Sequence, residues 1–317
     1  MDRRPGEARR ALVTGGAGFV GSHLCERLLR EGYEVVCLDD VSTGAASNVE
    51  PLLEEPGFEF VKADVAEPVE LSGGLEEVYH LASPASPADF DRLALQILQT
   101  GSAGTRSALD LALDKGARFL LASTSEVYGD PLVHPQREDY RGNVDPVGRR
   151  GVYDEAKRYA EALTMAYHRR RGLETRIARI FNTYGPRMRP DDGRMVPNFV
   201  GQVLAGEPLT VYGDGTQTRS VQYVDDLVEG LVRLMRGEER RPVNLGNPEE
   251  YTVKAVAEMI IGLSGGEGEL VYQPLPDGDP LRRCPDISRA RESLGWEPLV
   301  PAREGLGRTL SCFLERR

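Results

Sequence analysis

Short apolar runs alternate with amphipathic stretches through the first half of the chain. Residues 11–14, 34–38, 58–62, 77–82 and 118–123 are apolar enough along their length to read as buried strands. Between and after them, residues 20–30, 91–115 and 152–171 carry apolar positions at helical spacing. Strands apolar on both faces, alternating with helices, predict a parallel sheet covered on both sides. A further strand at 175–181 extends it.

After Asn182 the pattern loosens. Gly185-Pro186 and Arg189-Pro190-Asp191-Asp192-Gly193 make a long loop, followed by a helix near 197–205 and a strand at 209–212. Residues 221–224 and 243–245 read as strands, and 225–235 as a helix opened by an Asp cap. Helices follow at 252–263 and 302–314, with a break at Asp277-Gly278-Asp279-Pro280 between them. The division expected is a first domain over 1–181 and a smaller, loop-rich lobe over 182–317, some of whose segments return to the sheet. There is no internal repeat.

At 317 residues, the chain is long enough to bury a core without disulfide or metal. With 40% hydrophobic and 28% charged residues it reads as soluble and globular. The net charge of −11 is spread along the chain, which argues against a nucleic-acid or membrane partner, both of which need a basic face. A few local arginines can still hold a small anion. Cys25, Cys37, Cys284 and Cys312 are scattered, and no two of the four histidines share helical spacing, so no disulfide framework and no metal is expected. No apolar stretch approaches the ~20 residues of a membrane span. The charged first ten residues read as an exposed tail that leaves no room for a signal peptide, and the compartment expected is the cytoplasm.

Chemistry enters with Gly15-Gly16-Ala17-Gly18-Phe19-Val20-Gly21, which follows the first strand and opens the first helix. Gly16, Gly18 and Gly21 satisfy GxGxxG. Glycines there let the backbone turn tightly and admit a pyrophosphate to the helix N-terminus, where free N–H groups and the dipole attract anions. Asp39 stands about 20 residues on, at the end of the second strand, where a carboxylate accepts a ribose 2′-hydroxyl and repels a 2′-phosphate. NAD is therefore expected over NADP. Asp64-Val65, ending the third strand, is placed to meet the adenine amine.

Tyr153 and Lys157 lie at i and i+4 of one predicted helix and share a face. A nearby ammonium, with the positive nicotinamide ring, favours the phenolate and would make Tyr153 a base at neutral pH. Ser123-Thr124-Ser125-Glu126 closes the fifth strand at the carboxyl edge of the sheet, where open α/β folds place ligands. A hydroxyl there can share the substrate alcohol with Tyr153.

Together these residues resemble the extended short-chain dehydrogenase/reductases: a Rossmann-type, doubly wound α/β sheet with a smaller C-terminal substrate lobe. The stretches His80-Leu81-Ala82-Ser83-Pro84-Ala85-Ser86-Pro87, Leu121 to Pro131, His134-Pro135-Gln136, Ala178 to Met188 and Asn244 to Glu250 are similar to the UDP-glucuronate decarboxylases within that superfamily. The resemblance implies held NAD and a redox-neutral loss of CO₂ from a nucleotide sugar through a 4-keto intermediate. It makes Thr124, Glu126, Tyr153, Lys157 and Arg283 the catalytic set. It adds Asp40, Thr43, Gly44, Leu81, Ser83, Thr100 and Thr183 to the cofactor side. It places Ser123, Asn182, Arg194, Asn198, Tyr212 and Arg219 on the substrate side, Arg219 at the diphosphate. Arg283 would orient the sugar carboxylate or help return a proton to C5. Glu126, facing an anionic substrate, should be protonated or act through water. The base is open between uracil and thymine.

Two departures stand out. Gln99-Thr100-Gly101 replaces the family's usual Lys-Thr-Asn, losing a cation and a bracing amide, and Cys284 stands where a lysine is frequent. Related proteins dimerise through the helices at 91–115 and 152–171, so a homodimer is expected. Among rivals, a 4,6-dehydratase wants an acid where this chain has Ser125, a 4-epimerase has no use for Glu126 with Arg283, and a nucleotide-sensing scaffold would not need Tyr153, Lys157 and Thr124 intact.

Overall fold

The structure is a computed structural model and describes residues 9–266, 268–274 and 282–315. The chain begins β1 (Arg9–Thr14), α1 (Phe19–Arg30), β2 (Tyr33–Asp39), β3 (Phe58–Lys62) and β4 (Glu77–His80). Next come α2 (Ala94–Gln99), α3 (Thr105–Lys115), β5 (Arg118–Thr124), α4 (Gly151–Arg171) and β6 (Thr175–Ile180). The rest runs β7 (Thr183–Tyr184), α5 (Met195–Ala205), β8 (Leu209–Tyr212), β9 (Thr218–Ser220), β10 (Gln222–Tyr223), α6 (Val224–Arg236) and β11 (Val243–Leu245). It ends β12 (Glu250–Thr252), α7 (Val253–Ser264), β13 (Leu270–Gln273), β14 (Arg282–Arg283), α8 (Ser288–Leu294) and α9 (Ala302–Glu315).

Seven strands form a parallel sheet in the order β11-β6-β5-β4-β1-β2-β3. The α/β class expected from apolar strands and intervening helices is the class observed. A separate three-stranded sheet runs β12-β9-β14, antiparallel on one side of β9 and parallel on the other. Its strands have two or three residues, too few for a period to register in the sequence.

The described residues group into two compact units. One comprises those up to Pro84 with Leu95–Ser123 and Ala156–Ile177; the other comprises Ala85–Ala94, Thr124–Glu155 and everything from Ala178 onward. The first unit is built on a core in which Leu12, Val36, Leu38, Val78, Phe119 and Leu121 of the strands meet Ala108, Leu109 and Ala112 of α3. Burial of each such large side chain stabilises by about 1.5–3 kcal/mol. In the second, Val127, Tyr128 and Phe181 form a small apolar cluster with Tyr140 beneath the turn that follows β5.

Three expectations need correction. The single helix over 91–115 is broken: a π-helical stretch, Thr100–Gly104, separates α2 from α3. A Cβ on Gly101 would lie 2.7 Å from the Ala156 Cβ, so the missing side chain is what lets this segment lie directly on α4. Helix α6 has no side-chain cap. The Asp226 carboxylate instead accepts the N–H groups of Leu299 and Val300, both at 3.0 Å, tying the chain before α9 to the start of α6. Finally, Arg9 and Arg10 are not tail but the start of β1, Arg9 with its guanidinium over the Tyr33 ring and Arg10 paired with Glu59 at 2.8 Å. The rest of the expected tail and the break at Asp277-Gly278-Asp279-Pro280 lie outside the described residues.

Candidate active site

The glycine loop closes against the end of β4. Gly15 has φ +70°, and a Cβ there would come within 2.7 Å of the Ala82 backbone nitrogen, so only glycine fits. Its N–H donates to the Leu38 carbonyl at 2.8 Å, and the Gly18 N–H folds back to the Gly15 carbonyl at 3.1 Å. Gly16 and Gly21 complete the turn. Helix α1 starts at Phe19 and Val20 with no side-chain cap and no acid in its first turn, which leaves its leading N–H groups for an external anion.

Asp39 is buried at the end of β2. One oxygen accepts the Ala17 N–H at 2.9 Å and the other the Val41 N–H at 2.8 Å. Burial pushes its pKa up against the pull of those N–H groups. The residue predicted to meet a ribose thus also clamps the glycine loop and holds Val41 at φ +57°, a strained conformation for a β-branched side chain. Gly44 lies against Ala17 and Asp39, with Thr43 half-buried before it. Asp40 is exposed and accepts the Ser42 N–H, while exposed Asp64 accepts that of Ala66. Val65 is buried against Gly104, just after half-buried Thr100. The Leu81 N–H is bound by the Thr14 carbonyl, and the Ser83 hydroxyl reaches only its neighbour's carbonyl at 3.5 Å. Backbone donors at a helix start, glycines at the close approaches and a buried carboxylate at the next strand end are a donor set that fits a dinucleotide.

Lys157, on α4, donates from Nζ to the Ala122 carbonyl at 2.9 Å. Burial pulls its ammonium down to about 8. Ser123 gives its hydroxyl to Glu161 on α4 at 2.6 Å. The sequence reading put Ser123 beside the substrate; here its hydroxyl is committed to the helix.

The second unit holds the remaining chemistry. Where β5 ends, Thr124 Oγ1 accepts the Glu126 N–H at 3.2 Å and caps the tight turn Ser125–Tyr128. That turn presents Glu126 to two arginines. Arg283 Nη1 donates to Glu126 Oε1, and Arg150 Nη2 to Oε2 at 2.6 Å. Burial works to raise the Glu126 pKa, but the two guanidiniums outweigh it and hold the carboxyl below the ordinary value. Glu126 is therefore neither protonated nor left to water: it is an anion neutralised on both sides. Arg283 is 4% exposed, its Nη2 donates to the Gly129 carbonyl at 2.9 Å, and its Nε has no partner.

Tyr153, 6% exposed, stacks on Phe90 with ring centroids 5.2 Å apart. Burial pushes its phenol above the ordinary value and the Glu126 charge adds to this, while the Thr124 hydroxyl and Arg194 pull the other way. The predicted depression by Lys157 does not govern the chain by itself: the phenol is held protonated through the neutral range. The residue after it, Asp154, is buried with Oδ1 unpartnered and is raised to about 7 by burial and Glu126, against Arg150 and Arg283.

Other residues predicted on the substrate side, and Thr183 on the cofactor side, belong to the same unit. Arg194 grips Asp192 with two N–H groups, one at 2.8 Å, and Asn198 bonds the Gly193 carbonyl on the same loop. Arg219 stands opposite Arg283 in the β9–β14 ladder. Asn182 is half-buried, and Tyr212 is 43% exposed. Thr183 is already engaged, donating to the Phe181 carbonyl at 2.9 Å and accepting from Gln222 at 3.1 Å. Sequence reasoning missed Phe90, Arg150 and Asp154. Arg150 had a signal: a cation just before the N-terminus of α4 opposes the helix dipole and needs an anionic partner. Phe90 and Asp154 had none.

A family model for the NAD dependent epimerase/dehydratase family matches residues 11–246. The chain belongs to that family. Among family members, UDP-glucuronic acid decarboxylase 1 of Arabidopsis thaliana is 53% identical over 307 residues, 97% of this chain and 70% of that protein. UDP-glucuronic acid decarboxylase 1 of Danio rerio is 51% identical over the same share of this chain and 73% of its own. The crystal structure of UDP-glucuronic acid 4-epimerase from Bacillus cereus with UDP-glucuronic acid and NAD superposes with a TM-score of 0.85 at 29% identity, covering 97% of this chain and all of that one.

Proposed function

We infer that this chain decarboxylates UDP-glucuronate to UDP-xylose, using NAD without net redox change. The observation that carries the inference is Glu126 held as an anion between Arg283 and Arg150, in the same unit as Thr124 and Tyr153. Three guanidiniums face the carboxylates Glu126 and Asp192, with Asp154 raised to about 7 beside them, so below that pH the group carries an excess of positive charge within an acidic chain. That excess suits a substrate bearing a carboxylate, and the decarboxylase relatives support the same reading.

The glycine loop, Asp39 and Lys157 would hold the dinucleotide. Bound there, it supplies a hydride acceptor and donor at the sugar C4. Thr124 and Tyr153 hold the 4-hydroxyl, and Tyr153 would take its proton once the positive charge of a bound nicotinamide favours the phenolate that burial disfavours in the chain by itself. Arg283, whose Nε is uncommitted, orients the C6 carboxylate while the C4 ketone, β to it, takes the electrons of the breaking C5–C6 bond. Glu126 keeps Arg283 and Arg150 in place during that step; a proton, ultimately from water, must then reach C5 to restore the C4 ketone, and Tyr153 returns its proton to the 4-oxygen when that ketone is reduced again. Ser125 offers no acid to expel a 6-hydroxyl, which disfavours 4,6-dehydration.

The test is direct. Purified protein incubated with UDP-glucuronate should release CO₂ and a UDP-pentose; a UDP-sugar with six sugar carbons as sole product would overturn the reading in favour of epimerisation. We also propose a homodimer through α2, α3 and α4, supported by the exposed apolar side chains of Leu95, Leu98 and Tyr159 there. Light scattering checks it. The cytoplasm remains the proposed compartment: its reducing conditions suit four cysteines present as free thiols, and fractionation of the source cells would test it.

A further inference from the structure

His134, Glu250 and Cys284 play no part in the chemistry above, yet they converge. One donor atom from each lies within 4.8 Å of the other two. His134 Nε2 is 2.9 Å from Glu250 Oε2, and Cys284 Sγ comes from the buried side. Three separate stretches supply them, and main-chain hydrogen bonds lock those stretches together. Glu250 opens β12, which pairs with β9, and Cys284 follows β14, which pairs with the same strand. The segment after His134 is bolted on by the Gln136 N–H to the Cys284 carbonyl at 2.8 Å and by the Cys284 N–H to Gln136 Oε1 at 2.9 Å. The other Glu250 oxygen accepts the Thr218 hydroxyl at 2.6 Å, the outer bond that commonly orients a ligating carboxylate.

We propose that these three residues form a site for a borderline-soft divalent cation of the zinc class. Sulfur, imidazole nitrogen and carboxylate oxygen together suit zinc far better than magnesium or calcium, which demand oxygen alone. Thiolate and carboxylate supply two negative charges with a neutral imidazole, so a dication is neutralised; the thiol proton leaves as the cation binds. Three protein ligands leave a fourth, tetrahedral position for water on the exposed His134 side. Without a cation, the His134–Glu250 pair is a half-exposed contact of small energetic value, and the Cys284 thiol makes weak contacts with the Pro248 carbonyl at 3.4 Å and the Pro285 carbonyl at 3.9 Å. Cys284 adjoins Arg283, so an occupied site pins the strand that carries the guanidinium on Glu126.

The full chain, stripped with chelator and titrated with cobalt(II) chloride, tests this. One cobalt per chain should bind, with a near-ultraviolet thiolate-to-cobalt band and strong visible bands of tetrahedral cobalt, all bleached by zinc chloride. Cys284→Ala should lose the near-ultraviolet band and Cys312→Ser should keep it. His134→Gln, a half-exposed change that spares the core, should weaken cobalt binding by at least the roughly tenfold that loss of an outer-shell partner costs. Zinc should also raise the Tm of the parent in a concentration-dependent way. Absence of the thiolate band in the parent, its persistence in Cys284→Ala, or unchanged affinity in His134→Gln would overturn the site.

Discussion

The glycine loop and the arginine-flanked glutamate both handle anions, by opposite means. At the loop the work is done by backbone N–H groups and by the absence of side chains: Gly15 is closed against Ala82, and the start of α1 is uncapped. At Glu126 it is done by full charges on long side chains from three separate stretches: the turn after β5, the approach to α4, and β14. A loop of this kind binds by shape and tolerates little; a charge cluster is tuned by its balance and can lose one function while keeping another. The difference explains why the loop is compact in sequence and the cluster is scattered.

Mutations should separate the two. Gly15→Val is the most severe, because it adds a β-branched side chain at φ +70° against backbone: strain of a few kcal/mol and loss of NAD should come together, read as a lower Tm and a cofactor-free preparation. Tyr153→Phe should lower turnover by about 10²–10⁴-fold, the worth of a positioned acid–base group, with NAD still bound. A variant near the parental rate would break the assignment of this cluster.

Arg283→Gln should slow CO₂ release more than C4 oxidation, because Glu126 then keeps only Arg150 and the carboxylate loses its guide. Single-turnover absorbance of the reduced nicotinamide would rise and stay up; equal loss of both steps would remove the distinction between binding and acid-specific roles. The mildest change concerns pH. Asp154 is raised from 3.8 to about 7, so the fold favours its neutral form. That contribution is complete below about pH 4 and is lost as pH climbs through 7. Asp154→Asn, which cannot ionise, should exceed the parent in stability at pH 8 by up to about 4 kcal/mol, the gap closing towards pH 4. Denaturant melts at the two pH values measure it, and a gap independent of pH would show that Asp154 is not raised.

What the sequence by itself determined is what depends on neighbours along the chain. Apolar runs specified the sheet strands and β11 to within a few residues, the spacing of glycines specified the turn into α1, and the i, i+4 spacing put Tyr153 and Lys157 on one helix face, because each of these is a local steric or periodic property. Tertiary structure decided the rest. It interrupted the helix at 91–115 where Gly101 meets Ala156, left α6 without the expected Asp cap while using Asp226 as a tie, and set Glu126 between Arg283 and Arg150. It also raised Tyr153 rather than lowering it, and gathered His134, Glu250 and Cys284. The reason is electrostatic and geometric: the protonation of a buried group depends on burial and on charges brought from distant stretches, and neither quantity is encoded in spacing along the chain.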